Sequence, residues 1–61
     1  MKVYCQRIDT LNGQTTVTLL DEKQQPHTVF EPKGPVQEYD SDQEVVAPHF
    51  TPGRFYEVEK L

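Results

Sequence analysis

The feature of this sequence that most constrains its fold is Asn12-Gly13, which lies between two runs rich in β-branched residues. Both residues tolerate the positive φ of a two-residue type I′ turn, so Asn-Gly in this setting is a strong hairpin signal. The dipeptide therefore predicts a hairpin in which residues 2–10 form the first strand and residues 15–20 form the second.

The turn also predicts which residues face each other, because side chains alternate between the two faces of a strand. A shift of one residue would place Val17 opposite Asp9 and mix apolar with polar groups on one face. The expected facing pairs are Leu11 with Gln14, Ile8 with Val17, and Gln6 with Leu19. The expected apolar face carries Tyr4, Ile8, Val17 and Leu19, and the expected polar face carries Arg7, Asp9, Thr16 and Thr18.

Short apolar runs bounded by turn residues predict two further strands. Residues 27–31 lie between prolines, and we expect Phe30 to face inward because it offers more apolar area than Val29. Thr51-Pro52-Gly53-Arg54 has proline second and glycine third, as a type II turn favours. Residues 55–60 are then expected to form the last strand.

The segment 36–50 has two interpretations. Ser41-Asp42-Gln43-Glu44 matches the capping box that begins many helices, which predicts one helical turn over residues 41–47, ended by Pro48. Residues 44–47 also fit a short buried strand. The two alternatives stand level on the sequence.

No window of the chain has a helical period, so the predicted class is all-β or nearly so. Four or five strands are expected to form a small antiparallel sheet, which could curl into an SH3-like or OB-like mini-barrel and so remove exposed edges. A chain of 61 residues predicts one small β domain over 1–61. The initial Met and the absence of a linker-like tail lead us to expect a complete small protein.

The charge balance is acidic, with six Lys and Arg against ten Asp and Glu, a net charge of -4 and a pI near 4.9. The cations are scattered along the chain, which disfavours nucleic-acid binding. The acidic balance itself favours a partner with a basic surface. Cys5 is the single cysteine and cannot form an intramolecular disulfide. Without a signal peptide or a long apolar run, a cytoplasmic location and no membrane contact are expected.

Carboxylates at every second position predict an acidic patch. The run matches the opening of a calcium loop, but no glycine follows at the bend, and Thr51 stands where a bidentate Glu is needed. A solvated acidic loop is the simplest explanation, and a surface that meets a basic partner is the next. The patch consists of Glu38, Asp40, Asp42 and Glu44.

Residues suited to catalysis or metal binding are few. Cys5, His27 and His49 have a spacing that matches no zinc signature. Nucleophilic catalysis would need Cys5 or Ser41 beside a positioned base, and so short a chain does not readily enclose a water-excluded pocket. The sequence therefore predicts a protein that is not an enzyme, with no catalytic residue, metal or cofactor.

Apolar residues on the second face of the hairpin and on the last strand predict an interface. Either residues 36–50 cover them, or a protein partner or a second copy of the chain does. We favour an interface because a small domain gains stability from added burial. The candidate interface consists of Val3, Cys5, Leu20, Phe55 and Leu61.

Two functional hypotheses follow. The first is a non-enzymatic protein-binding module, such as a small inhibitor or accessory protein of the kind that phages encode, acting through an acidic and partly apolar surface. The alternative is a mini-barrel that binds a ligand or nucleic acid by stacking on exposed aromatic side chains. Those aromatic candidates are Tyr4, Tyr39, Phe50, Phe55 and Tyr56. The alternative would gain if cations converged beside them, namely Lys2, Arg7, Arg54 and Lys60.

Overall fold

A computed structural model describes all residues, Met1–Leu61, as one antiparallel sheet without a helix, which confirms the predicted all-β class. The strands are β1 (Lys2–Leu11), β2 (Gln14–Leu20), β3 (Pro26–Phe30), β4 (Val36–Asp40), β5 (Gln43–Ala47) and β6 (Phe55–Glu57). Their order across the sheet is β3-β2-β1-β6-β4-β5. The sheet is therefore open, with β3 and β5 as its edges, and the mini-barrel is not formed.

The hairpin of β1 and β2 has the predicted turn. Asn12 has a φ of 53° and Gly13 a φ of 78°, so both turn residues are in the left-handed region that a type I′ turn needs. Leu11 lies opposite Gln14 and Ile8 lies opposite Val17, as predicted.

The predicted register holds from Arg7 to Leu11 but is wrong for the residues before Arg7, because β1 has a bulge between Cys5 and Arg7. The bulge adds one unpaired residue to β1, so Cys5 and not Gln6 lies opposite Leu19. One added residue also exchanges the faces of every residue before it. Val3 and Cys5 therefore lie on the same face as Leu19, and Tyr4 lies on the opposite face.

The core lies on the face of the sheet that carries Val3 and Cys5. It is completed by Phe50, which lies in the connection between β5 and β6 and is only 4% exposed. The Phe50 ring meets the Tyr56 ring edge-to-face, with 4.6 Å between their centroids. The core residues are Val3, Cys5, Val17, Leu19, Phe50 and Tyr56.

The connection between β5 and β6 is attached to β1 by its backbone. The N–H of Gly53 donates to the Cys5 carbonyl oxygen at 2.9 Å, and the Cys5 N–H donates to the Arg54 carbonyl oxygen at 2.9 Å. Gly53 has a φ of 92°, and the Arg54 N–H donates to the Thr51 carbonyl oxygen at 3.3 Å, which confirms the predicted turn. These backbone hydrogen bonds thus hold the connection, and with it Phe50, against the core face of the sheet.

The prediction that Phe30 faces inward is wrong. In the register of β2 with β3, Val29 lies opposite Val17 on the core face, and Phe30 lies opposite Thr16 on the other face, 70% exposed. Because the pairing partner sets which face is buried, the larger side chain is left outside.

Of the two interpretations of residues 41–47, the strand is confirmed and the helical turn is wrong. The predicted burial of this strand is also wrong, because β5 is an edge strand in which only Ala47 is buried. Ser41, with a φ of 59°, and Asp42 form a two-residue turn, and β5 returns along β4. The five facing pairs of β4 and β5 satisfy more backbone groups than a single helical turn would.

Candidate protein-binding surface

The outer face of the sheet, opposite the core, carries a row of apolar side chains on three adjacent strands. Tyr4 in β1 lies opposite Leu20 in β2 and opposite Phe55 in β6. The Tyr4 and Phe55 rings pack with their centroids 5.0 Å apart. We call Leu20, Tyr4 and Phe55 the apolar row.

The apolar row borders an open depression of about 530 Å³. Asp21 and Glu22, which follow β2, line this depression with Gln24, and Lys2 lines it from β1. The depression therefore combines an apolar centre with two carboxylates and one ammonium group.

The acidic part of this rim is held by a network around Asp21. Its Oδ1 accepts the N–H groups of Lys23, at 2.8 Å, and Gln25, at 2.9 Å, and its Oδ2 lies 3.0 Å from His27 Nε2. The Gln25 N–H, followed by His27, lowers the pKa of Asp21 below its ordinary value. The rim therefore keeps its negative charge and its shape.

Next to the depression, Lys2 lies against two aromatic rings. Its Nζ atom is 4.8 Å from the centroid of the Tyr39 ring and 5.0 Å from that of Phe55. Both distances are within the range of a cation–π interaction, about 6 Å. The Tyr39 hydroxyl in turn donates to Glu57 Oε1 at 2.6 Å.

Glu57 connects this cluster to the start of the chain. Its Oε2 accepts a hydrogen bond from the Met1 ammonium group, which also donates to the Val58 carbonyl oxygen. The hydrogen bond from the Met1 ammonium, followed by that from Tyr39, lowers the pKa of Glu57. At neutral pH the carboxylate is therefore charged and holds both groups.

Tyr39 is expected to ionise only in strongly alkaline solution. Its hydrogen bond to Glu57, followed by burial and by the charges of Glu57 and Glu44, raises its pKa from 10.0 to about 12. Because the pKa of Tyr39 is higher in the folded state, the protonated Tyr39 hydroxyl contributes to the stability of the fold. This contribution is complete below pH 10.0 and is lost as the pH rises to about 12. In Glu57→Gln we expect the pKa of Tyr39 to fall toward 10.0.

An absorbance titration of tyrosinate measures this change. The titration curve of Tyr39→Phe is subtracted from that of the wild type, and the curve of the double variant Glu57→Gln/Tyr39→Phe is subtracted from that of Glu57→Gln. Each difference contains the absorbance of Tyr39 without that of the other tyrosines. A Tyr39 titration that is unchanged in Glu57→Gln would contradict the role of Glu57.

The predicted interface residues divide between the core and the surface. Val3 and Cys5 are 1% and 0% exposed, so their assignment to an interface is wrong and they belong to the core. Leu20 and Phe55 lie together on the outer face, with Phe55 45% exposed. Leu61 lines a separate depression, beside Val58 and Phe50.

The predicted acidic residues do not form a single patch. Glu38 lies on the core side, where its Oε2 accepts from the Tyr56 hydroxyl at 3.0 Å and its Oε1 lies 2.9 Å from Arg54 Nη2. Asp42 is in the turn, and Glu44 lies opposite Tyr39. Asp40 lies between Glu38, with which it shares Arg54, and Asp42, with which it lines a shallow depression at the turn. The turn reverses the chain, so Glu44 alone lies on the opposite face from Glu38 and Asp40.

Of the four named cations, Lys2 and Arg54 line one surface depression together with Tyr39 and Phe55, whereas Lys60 lines a different depression and Arg7 lines none. Arg54 pairs with Glu38 and, at 3.9 Å, with Asp40, and Arg7 pairs with Asp9 at 2.9 Å. Lys2 alone of the four named cations lies over aromatic rings.

The residues considered for chemistry lie apart. Cys5 is fully buried, and burial raises the pKa of its thiol, which keeps it protonated. His49 Nδ1 lies 3.0 Å from the Phe50 carbonyl oxygen, and His27 interacts with Asp21. No three His, Cys, Asp or Glu side chains are grouped as metal ligands.

The sequence contains a signal for the bulge that rearranged this surface. The apolar residues Val3, Cys5 and Ile8 are separated first by two positions and then by three, and an interval of three marks an added residue in a strand. That spacing would have placed Tyr4 on the outer face beside Leu20. The pairing of Lys2 with Tyr39 has no comparable signal, because it depends on β6 lying between β1 and β4.

The chain forms no helix, and hence none that could span a bilayer. Comparison with models of protein families, with curated proteins and with solved structures returned no match to this chain.

Proposed function

We propose that this chain is a non-enzymatic protein-binding module that holds its partner on the outer face of the sheet. The observation that supports this proposal is the apolar row, in which Tyr4, Leu20 and Phe55 lie side by side on adjacent strands. The core cluster, to which Phe50 belongs, lies on the other face and includes none of these three residues, so the row is left for a partner.

The composition of the surface matches that of protein interfaces. Aromatic and apolar side chains form the centre of a typical interface, and polar or charged groups form its rim. Here the centre is the apolar row, and the rim contains Asp21 and Glu22. The acidic rim and the net charge of -4 favour a basic partner, since opposite charges speed encounter and exclude acidic competitors.

Nucleic-acid binding is the second candidate, and one observation favours it. Lys2 lies beside Tyr39 and Phe55, an arrangement that could stack a base and contact a phosphate. However, Phe50 and Tyr56 are in the core and cannot stack on bases. Binding to the phosphate backbone also draws on several free cations, so a protein partner is the better-supported proposal.

The proposal is tested by capture with matched aromatic substitutions. Phe55→Glu places a charge in the apolar row, whereas Phe30→Glu places the same charge at a 70% exposed position in edge strand β3. We expect immobilised wild type and Phe30→Glu to retain the same proteins from a cell lysate, measured by quantitative mass spectrometry. Phe55→Glu should retain them at least about 30-fold less, as for a central interface residue worth about 2 kcal/mol.

Circular dichroism of each variant provides the fold control. Equal retention by folded Phe55→Glu, or capture that nuclease treatment abolishes, would overturn the proposal. Sedimentation equilibrium of the wild type at several concentrations identifies the case in which the partner is a second copy. A symmetric dimer would then be weakened twice by the one substitution Phe55→Glu.

A further inference from the structure

We propose that Tyr39 and Phe55 form a binding site for a lysine or arginine side chain of a basic partner segment, and that Lys2 fills this site in the free protein. The proposal rests on the proposed function and names the chemistry that the outer face recognises. The Lys2 ammonium, 4.8 and 5.0 Å from the two ring centroids, shows that the space between the rings accommodates a cation.

The two rings are held independently of Lys2. The Tyr39 hydroxyl is bound to Glu57 at 2.6 Å, and the Phe55 ring packs on Tyr4 with centroids 5.0 Å apart. Removal of the Lys2 side chain therefore leaves both aromatic faces in place. A site that keeps its shape when empty binds a ligand without a further ordering cost.

The electrostatic surroundings of the rings favour a positive charge. Glu44 lies directly opposite Tyr39 in β5 and forms no ion pair, and Glu57 accepts the Tyr39 hydroxyl. The two other cations near the rings are already paired, the Met1 ammonium with Glu57 and Arg54 with Glu38 and Asp40. Lys2 itself forms no ion pair with a carboxylate, in contrast to Arg7 and Arg54. The contacts that hold the Lys2 ammonium are therefore the two ring faces, with Glu44 nearby. Neither is specific to Lys2, so another cation can use both.

Lys2 lies where a bound segment would meet it. A second depression, of about 470 Å³, lies next to the one bordered by the apolar row and extends toward Asp40. Lys2 and Phe55 line both depressions and form the wall between them. A segment that occupies both depressions must pass over this wall. Since a cation–π interaction at an exposed site is worth about 0.5–1 kcal/mol, the flexible Lys2 side chain can be displaced by a cation of the partner.

A titration with a single amino-acid probe tests the site without the natural partner. N-acetyl-arginine methylamide is the probe, and N-acetyl-citrulline methylamide is its neutral control of the same shape. Ring resonances of Tyr39 and Phe55 are followed by NMR in the wild type and in Lys2→Ala. We expect the arginine probe alone to shift these resonances, and to bind Lys2→Ala about two- to fivefold more tightly than the wild type, since the competing cation–π contact is gone.

Two further variants separate site occupation from general electrostatics. Lys33→Ala makes the same change in net charge in the exposed connection between β3 and β4, and it should bind the probe as the wild type does. Tyr39→Leu in the Lys2→Ala background should abolish the shifts at Phe55. The proposal would be overturned if Lys2→Ala and Lys33→Ala gained the same affinity for the arginine probe, or if Lys2→Ala bound the probe no more tightly than the wild type.

The outcome is separable from that of the proposed function. If the probe leaves the rings unaffected while Phe55→Glu still abolishes protein capture, the cation site is wrong and the protein-binding surface stands. If the probe binds at the rings but protein capture does not depend on Phe55, the cation site stands and the proposed protein-binding surface is wrong.

Discussion

Phe50→Ala is expected to lower the free energy of unfolding by about 3–5 kcal/mol, the usual cost of removing a buried aromatic ring. Phe50 is 4% exposed, and its ring packs edge-to-face on that of Tyr56. It is also the core residue supplied by the connection between β5 and β6, so its loss uncovers the sheet. A domain of this size rarely has more than about 3–5 kcal/mol of stability, so the variant should be largely unfolded.

Urea titration followed by circular dichroism measures this effect, and Phe30→Ala is its matched control. Phe30 is 70% exposed, and we expect the same substitution there to change stability by less than about 0.5 kcal/mol. A folded Phe50→Ala variant with the urea midpoint of the wild type would mean that the connection does not close the core.

Leu19→Ala is expected to cost about 2–5 kcal/mol of stability, through lost apolar burial and the cavity that remains. Leu19 is 1% exposed and lies opposite Cys5, at the position where the bulge turns the start of β1 toward the core. Because β1 is paired on both sides, by β2 and by β6, the surrounding backbone has little freedom to close the cavity.

Leu11→Ala makes the same truncation at a site that is 75% exposed, and it should alter stability by less than about 0.5 kcal/mol. The two variants are compared by their urea midpoints at equal protein concentration, so that association does not enter the difference. Similar midpoints for Leu19→Ala and Leu11→Ala would contradict the assignment of the two faces of the hairpin.

The part of the surface that the sequence identified is the pair Leu20 and Phe55. Each is a large apolar residue in a strand whose opposite face already has an apolar partner, and such a surplus is visible without coordinates. Tyr4 was assigned to the wrong face because the expected alternation was carried through the bulge at Gln6. Lys2 was recognised as a cation, but its position over Tyr39 was not foreseen.

The sequence by itself determined the features of this protein that depend on the conformational preferences of single residues. Asn12 and Gly13 both adopt the positive φ that their hairpin turn needs. In the second turn, Pro52 occupies the second position and Gly53 the third, where Gly53 has a φ of 92°. These preferences arise from steric contacts within one or two residues, so they act the same way in any surroundings. The all-β class follows from the same local level, through β-branched residues and the lack of a helical period.

Only the tertiary structure decided which face of each strand is buried. The bulge before Arg7 is stabilised by neighbours distant in sequence, because the backbone of Cys5 bonds to Gly53 and Arg54 while its side chain enters the core. Likewise, β5 is a strand because β4 lies beside it to pair its backbone groups. Pairing and burial are properties of two segments together, and a one-residue shift between them exchanges core for surface.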